Sequence, residues 1–463
     1  MKNISTSEYV SNLIKKAKIA QSKAEFFSQE QVDKLCKALA WVAVKEENKR
    51  LLAKMALDET GMGDYESKCL KIAKKIKGVL RDIKDLKSVG VIEEDIDKGI
   101  IKIAKPVGII GAIIPCTNPE ITPVIKAMNA IKGRNAVIFS PHPRSKKTTF
   151  FTVELMRSIL KKYNVPQDLL ICVKNPTKEI SFEIMKQCDL IIATGGKEMV
   201  KASYSSGTPS YGVGPGNVVV VVDETADLKE AAHKIMLSKT FDLASGCSCD
   251  NSAVIHSSIY NKMINALIAE GGYLLNEEEK KSLQATVWIN GLINPKIIAQ
   301  SPQKIAKLSN IKIPDETKFI IVEEKGIGRK FPFSGEKLSV ILTLYKYEKF
   351  EDAIKKVNGI QSYQGAGHSC GIYSYNRENI MDLCLNTRTS RVMVRQPQNY
   401  GNSGDWCNGM PFTVTLGCGT WGGNIVSENI VFKHYINTTW VSYPIKQVVP
   451  TDEELFGNVM YEF

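Results

Sequence analysis

Cys247 is the residue of this chain whose type and neighbours most readily suggest chemistry. It stands in Ser238–His256, SKTFDLASGCSCDNSAVIH, between Gly246 and Ser248. Helical material precedes the run (Leu228–Phe241) and a strand-like segment follows it (Ser252–His256), so the thiol is expected on a connection that a substrate can reach. Its thiolate would be a nucleophile. A free cysteine is also commonly a small buried hydrophobe, and spacing alone does not decide between the two.

Other stretches place polar or backbone groups at the ends of elements. In IIPCTNPE, Pro115 ends a strand, Thr117 follows, and Asn118 precedes Pro119, which biases it toward extended backbone. A carboxamide held there can donate to an oxyanion, with an ordinary Asn-Pro turn as the alternative. FSPHPRSKK ends a strand with Ser140, Pro141 and His142, followed by Arg144, Lys146 and Lys147. That set suits a ribose or phosphate, and equally a rigid surface turn. IIATGGKEMV runs through Thr194, Gly195 and Gly196 into a helix whose first N–H groups are open to phosphate, although it is not a GxGxxG. YGVGPGN sets Gly212, Gly214 and Gly216 before a valine strand, permitting close backbone approach. Glu336 and Leu338 lie in FSGEKLSV, just before a strand, where most glutamates are simply solvated.

A scaffold must bring these loops together. From Val107 short apolar runs (VGIIGAIIP, NAVIFSP, LLICVK, DLIIATGG) alternate with helical segments, which predicts an α/β fold with a parallel sheet covered on both faces. Right-handed crossovers place the loops after each strand along one edge, where open sheets bind ligands. VVVVVD, Val218–Asp223, is a buried strand and marks the passage into a second α/β region. Residues 5–85 read as several helices, one opened by a Ser28/Gln31 capping box. Two extended segments turn near Asp95–Lys98, and the tail after Ile430 is β-prone.

At 463 residues the chain suggests two domains, and 43% apolar with 24% charged residues reads as globular. No apolar run approaches the ~20 residues of a membrane span, and the N-terminus lacks a signal-like apolar core, so the expected location is cytoplasmic with no membrane partner. Eleven cysteines, an odd and scattered set, make no disulfide framework. With no CxxC pair and five dispersed histidines, no metal is expected. The net charge of +12 is carried largely by lysines in helical stretches such as Lys71–Lys77. They read as a solvated basic surface without the aromatic interleaving of a nucleic-acid groove, and phosphate-rich cofactors or an acidic substrate fit the charge as well.

Taken in order, ETGMG, KPVGIIGAIIPCTNPE, AIKGRNAVIFSPHPRSKK, IATGG, YSSGTPSYGVGPGN, SKTFDLASGCS, GEKLS, GAGHSCGIY and LGCGTWGGNIVSENI resemble the aldehyde dehydrogenase superfamily, and within it the CoA-acylating branch. The resemblance runs from about Ser7 to about Pro444. It implies a Rossmann-like cofactor-binding domain at 1–221 with an oligomerisation hairpin at 88–107, a catalytic α/β domain at 222–430, and an oligomerisation tail at 431–463. A homodimer or dimer of dimers is implied with it. Cys247 matches the nucleophile, Asn118 the amide of the oxyanion site, and His368 a histidine of the acylating branch in a supporting role. Glu336 matches the carboxylate on the nicotinamide ribose. Ser140, His142, Gly195 and Gly196 match the adenosine-phosphate region, with Pro115, Thr117, Pro141, Thr194, Gly214 and Leu338 in the same NAD or NADP site.

Acid-forming relatives usually carry a glutamate where this chain has Gly212–Gly216. The missing base implies that coenzyme A, rather than water, collects the acyl group. The segment RVMVRQPQNYGNSGDWCNGMPF is similar to members acting on short anionic aldehydes, either sulfoacetaldehyde, which FDLASGCSCDNS favours, or succinic semialdehyde. Arg395, with Arg391 second, is the expected partner of the anion, because guanidinium binds sulfonate or carboxylate as a bidentate donor.

Overall fold

The computed structural model describes residues 4–462. Two parallel sheets organise it. The first has five strands in the order Leu170–Cys172, Ala136–Pro141, Ile109–Ile114, Leu190–Thr194, Ser210–Val213. Every residue of Ile109–Ile114 and Ala136–Pro141 is buried, as expected of strands covered on both faces. Ile109–Ile114 pairs with its sequence successor on one side and with Leu190–Thr194 on the other. The order therefore reverses beside it, and the loops after those two strands flank a ligand crevice.

The second sheet has seven strands, ordered Gly272–Leu274, Phe319–Glu323, Ile341–Tyr347, Asp250–His256, Val218–Val222, Cys370–Tyr373, Val392–Val394. Val218–Val222, wholly buried, pairs with both Asp250–His256 and Cys370–Tyr373. This corrects the boundary at residue 221: the valine strand is central to the second sheet, and the change-over falls in Gly214–Asn217. The later boundary shifts too, since Phe412, Ile430, Phe432 and Tyr435 pack into the core of the first sheet.

Helices Thr6–Ala24, Gln29–Val44, Glu46–Thr60 and Tyr65–Ile83 cover the first sheet, and the Ser28/Gln31 capping box forms. The long run expected from Gln29 to Thr60 breaks at Lys45, whose φ of −54° and ψ of 134° are not helical. Gly90–Asp95, Ile100–Pro106 and Ile436–Ser442 form a separate antiparallel sheet. Beside it Trp440, Tyr443, Ile445, Val448 and Val449 are exposed. Among the described residues no helix is long and apolar enough to cross a membrane.

Candidate active site

The two sheets meet around a cavity of about 360 Å³. From the first sheet it takes the carboxyl ends of strands: Pro115, Thr117 and Asn118, then His142, then Thr194, Gly195 and Gly196. From the second it takes residues just before strands: Gly214 ahead of Val218, Cys247 ahead of Asp250, and Glu336 and Leu338 ahead of Ile341. The carboxyl-edge rule thus serves the first sheet, while the second contributes its amino edge.

Cys247 follows a tight 3₁₀ turn, Phe241–Ala244, in which Asp242, Leu243 and Ala244 all have left-handed φ (49°, 50° and 60°). Such backbone costs non-glycine residues about 1–2 kcal/mol each and persists only where its surroundings hold it. The His368 Nε2 lies 3.2 Å from the Cys247 Sγ. His368 is itself buried, its Nδ1 2.9 Å from the Ser369 hydroxyl and its carbonyl accepting from Arg391 Nη1 at 2.8 Å. Burial and the Arg391 charge hold the imidazole down at about 3. Burial, Glu336, Cys418 and Cys249 push the Cys247 thiol up to about 12. The resting pair is therefore thiol with neutral imidazole. Gly216 must be small: a Cβ there would come within 2.4 Å of the Cys247 carbonyl and 2.7 Å of the His368 ring.

Asn118 turns its Oδ1 to the Lys71 ammonium at 2.7 Å, and its Nδ2 reaches the Thr117 hydroxyl at 3.2 Å. Glu336 accepts from the Gly216 N–H at 3.1 Å, and burial raises its carboxyl to about 8.

The profile of the aldehyde dehydrogenase family matches residues 3–296, more than half of the sequence. The chain belongs to that family. It is 48% identical over 456 residues to a sulfoacetaldehyde dehydrogenase from an Acholeplasma species, covering 97% of this chain and 94% of the relative. It is 42% identical over 450 residues to the succinate-semialdehyde dehydrogenase (acetylating) of Clostridium kluyveri, covering 97% and 99%. The crystal structure of an acetylating aldehyde dehydrogenase from Geobacillus thermoglucosidasius superposes with a TM-score of 0.93 at 37% identity, covering 96% of this chain and 98% of that one.

Several expected site residues of this aldehyde dehydrogenase lie off the cavity lining. Ser140 is buried against the Ser181 hydroxyl at 2.8 Å, and Pro141 is buried beside it. Gly212 faces the helix Lys197–Tyr204, where a Cβ would meet Val200, Ser203 and Tyr204 at 2.9 Å. Gly214 lines the cavity instead, with room for a Cβ. The two arginines need a correction: neither lines the cavity. Arg391 gives its guanidinium to the carbonyls of His368, Gly417 and Ser427. Arg395 lies over the Tyr375 ring at 4.0 Å.

The cations that do line it are Lys71 and Lys75, one turn apart on the helix Tyr65–Ile83. With Lys68 they form a buried stripe, 0–7% exposed, where a solvated face was expected. Their i, i+3, i+7 spacing on one helix face was the available sign. Lys75 donates to the Ser403 hydroxyl at 2.6 Å and the Gly404 carbonyl at 2.8 Å, and burial, with Lys74 beside it, lowers its ammonium to about 7.

Proposed function

We propose that this aldehyde dehydrogenase converts a short anionic aldehyde, sulfoacetaldehyde by preference, to its acyl-CoA with NAD(P)+ and coenzyme A, reversibly. One observation carries the acylating reading: among the described residues the two carboxylates lining the cavity, Asp242 and Glu336, are each engaged by the protein, while a neutral imidazole stands 3.2 Å from the Cys247 sulfur. Asp242 is taken up by Lys68, Lys71 and Ser245, and Glu336 is held by the Gly216 N–H.

The first sheet's crevice fits a dinucleotide. Gly196 caps the helix Lys197–Tyr204 without a side chain over its N–H groups, and a Cβ at Gly196 would meet nothing within 4 Å. Glu336 lines the same cavity as the acceptor for ribose hydroxyls. When bound, the oxidised nicotinamide supplies the hydride acceptor.

Cys247 gives its proton to the His368 Nε2 as its sulfur attacks the aldehyde carbon, and the oxygen is received by Asn118 Nδ2 and the Cys247 backbone N–H. The imidazolium releases that proton to solvent before the second half-reaction. Loss of hydride from that hemithioacetal leaves a thioester on Cys247. The thiol of coenzyme A then attacks the thioester carbonyl and Cys247 leaves as thiolate. His368, neutral and 3.2 Å from the sulfur, is placed to take the incoming thiol proton. Ser403 lines the cavity, accepts from Lys75 and keeps its own hydrogen, so the pair supplies a polarised donor for the substrate's anionic end. The antiparallel sheet with its exposed Trp440 supports pairing into a homodimer or dimer of dimers.

Sulfoacetaldehyde, succinic semialdehyde and propionaldehyde, each with NAD+ or NADP+ and with or without coenzyme A, form the test. Reduced cofactor should accumulate catalytically only with coenzyme A, fastest with sulfoacetaldehyde. Equal steady-state rates without it, with free acid as product, would sink the acylating reading. A clear lead for succinic semialdehyde would shift the substrate to that aldehyde.

A further inference from the structure

Lys71 lines the cavity but has no hydrogen to spare for a substrate. Its ammonium donates to Asn118 Oδ1 at 2.7 Å, to Asp242 Oδ2, and to the Ser245 hydroxyl at 3.4 Å. That accounts for all three N–H bonds. Ser245 cannot compete for the same role, since it gives its own hydrogen to Asp242 at 2.6 Å.

The contact with Asn118 fixes the amide's direction. A carboxamide beside an ammonium must present its oxygen, because the reverse orientation would set donors against donors. With Oδ1 committed to Lys71 and one Nδ2 hydrogen turned to the Thr117 hydroxyl, the other Nδ2 hydrogen is left for the cavity.

Asp242 ties this arrangement to the nucleophile. Its Oδ1 accepts from the Asp64 N–H at 3.0 Å, at the start of the lysine helix, and its Oδ2 accepts from Lys68, Lys71 and Ser245. It is 1% exposed and is the first of the three left-handed residues leading to Cys247. One carboxylate therefore anchors both the turn that presents the thiol and the ammonium that aims the amide.

We propose that Lys71 is a positioning residue: it orients the Asn118 carboxamide toward the carbonyl oxygen of the reacting aldehyde and, through Asp242, keeps that amide in register with Cys247. This rests on the reading of Asn118 as an oxyanion donor, and it assigns Lys71 to geometry rather than to the substrate's anion.

A double-mutant cycle tests it, with kcat and KM measured for sulfoacetaldehyde and for neutral propionaldehyde. Lys71→Met, which leaves Lys68 on Asp242, should lower kcat roughly 10–100-fold for both aldehydes with KM little changed. In an Asn118→Ala background the same substitution should cost less than about threefold more. Lys71→Gln, whose amide can still donate to Asn118, should recover most of the loss and covers the case in which the methionine variant folds poorly. Multiplying effects in the double variant, or a loss confined to the anionic aldehyde, would overturn the positioning role. Full activity of Asn118→Ala alone would instead remove the oxyanion reading, and the two failures are told apart by that single variant.

Discussion

Glu336→Gln should make the protein relatively more stable as pH rises. The carboxyl ordinarily titrates near 4.5 but holds its proton to about 8 in the fold, chiefly through burial. The folded state therefore binds the extra proton between those values. The cost of burying the carboxylate is absent below 4.5, grows as pH rises, and levels off above about 8. Between about pH 5 and about pH 9 it grows by about 4 kcal/mol, a ceiling because the group opens on the cavity. Glutamine does not titrate and escapes this cost. At roughly 2 °C per kcal/mol, the Tm gap between variant and parent should widen by up to ~8 °C across that range. Thermal unfolding of both proteins in matched buffers, without cofactor, measures it. A gap independent of pH would show that Glu336 is ionised throughout. Lys239 and Lys337, both nearby, would then be the charges that hold it as a carboxylate.

Cys247→Ser should abolish turnover, and an aldehyde-dependent acyl adduct seen by mass spectrometry on the parent should vanish; adduct on another residue would move the nucleophile. Gly214→Glu sets a carboxylate into the cavity where the nearest atom to a Cβ is Val200 Cγ2 at 4.0 Å. It should raise acid formation without coenzyme A by about tenfold or more, and an unchanged product ratio would count against the missing base as the reason for acylation. Because Lys75 is charged only below about 7, the KM for an anionic aldehyde should rise as pH passes that value while that for propionaldehyde stays level. Parallel profiles would remove Lys75 from substrate recognition.

The strand-helix alternation and the loops at the ends of the first sheet were legible because buried parallel strands write themselves as apolar runs. Cys247, Asn118 and Glu336 were found by resemblance to ordered motifs, and the fold brings all three to one cavity. Less accessible was whatever depends on partners distant in sequence. Lys68, Lys71 and Lys75 look like surface charge until Asp242 and the Ser403 loop close over them. Arg391 and Arg395 look like anion binders until backbone carbonyls and Tyr375 engage them. Gly212 and Gly214 differ only in which face of an irregular edge they take, and a motif two residues wide does not say which is inside.

The joining of one sheet's carboxyl edge to another's amino edge divides the labour of this enzyme between two sheets. The open helix start at Gly196 and the Asn118 amide are rooted in one, and the thiol, the imidazole and Glu336 in the other. Several polar ties cross the seam, among them Lys71 and the Asp64 N–H to Asp242 and the Gly63 N–H to the Ala299 carbonyl. A shift of one sheet against the other would strain the Lys71–Asp242 tie and with it the register of Asn118 to Cys247. Changing the aldehyde therefore draws on both halves at once, since Asn118 and Lys75 come from one and Cys247 and Ser403 from the other.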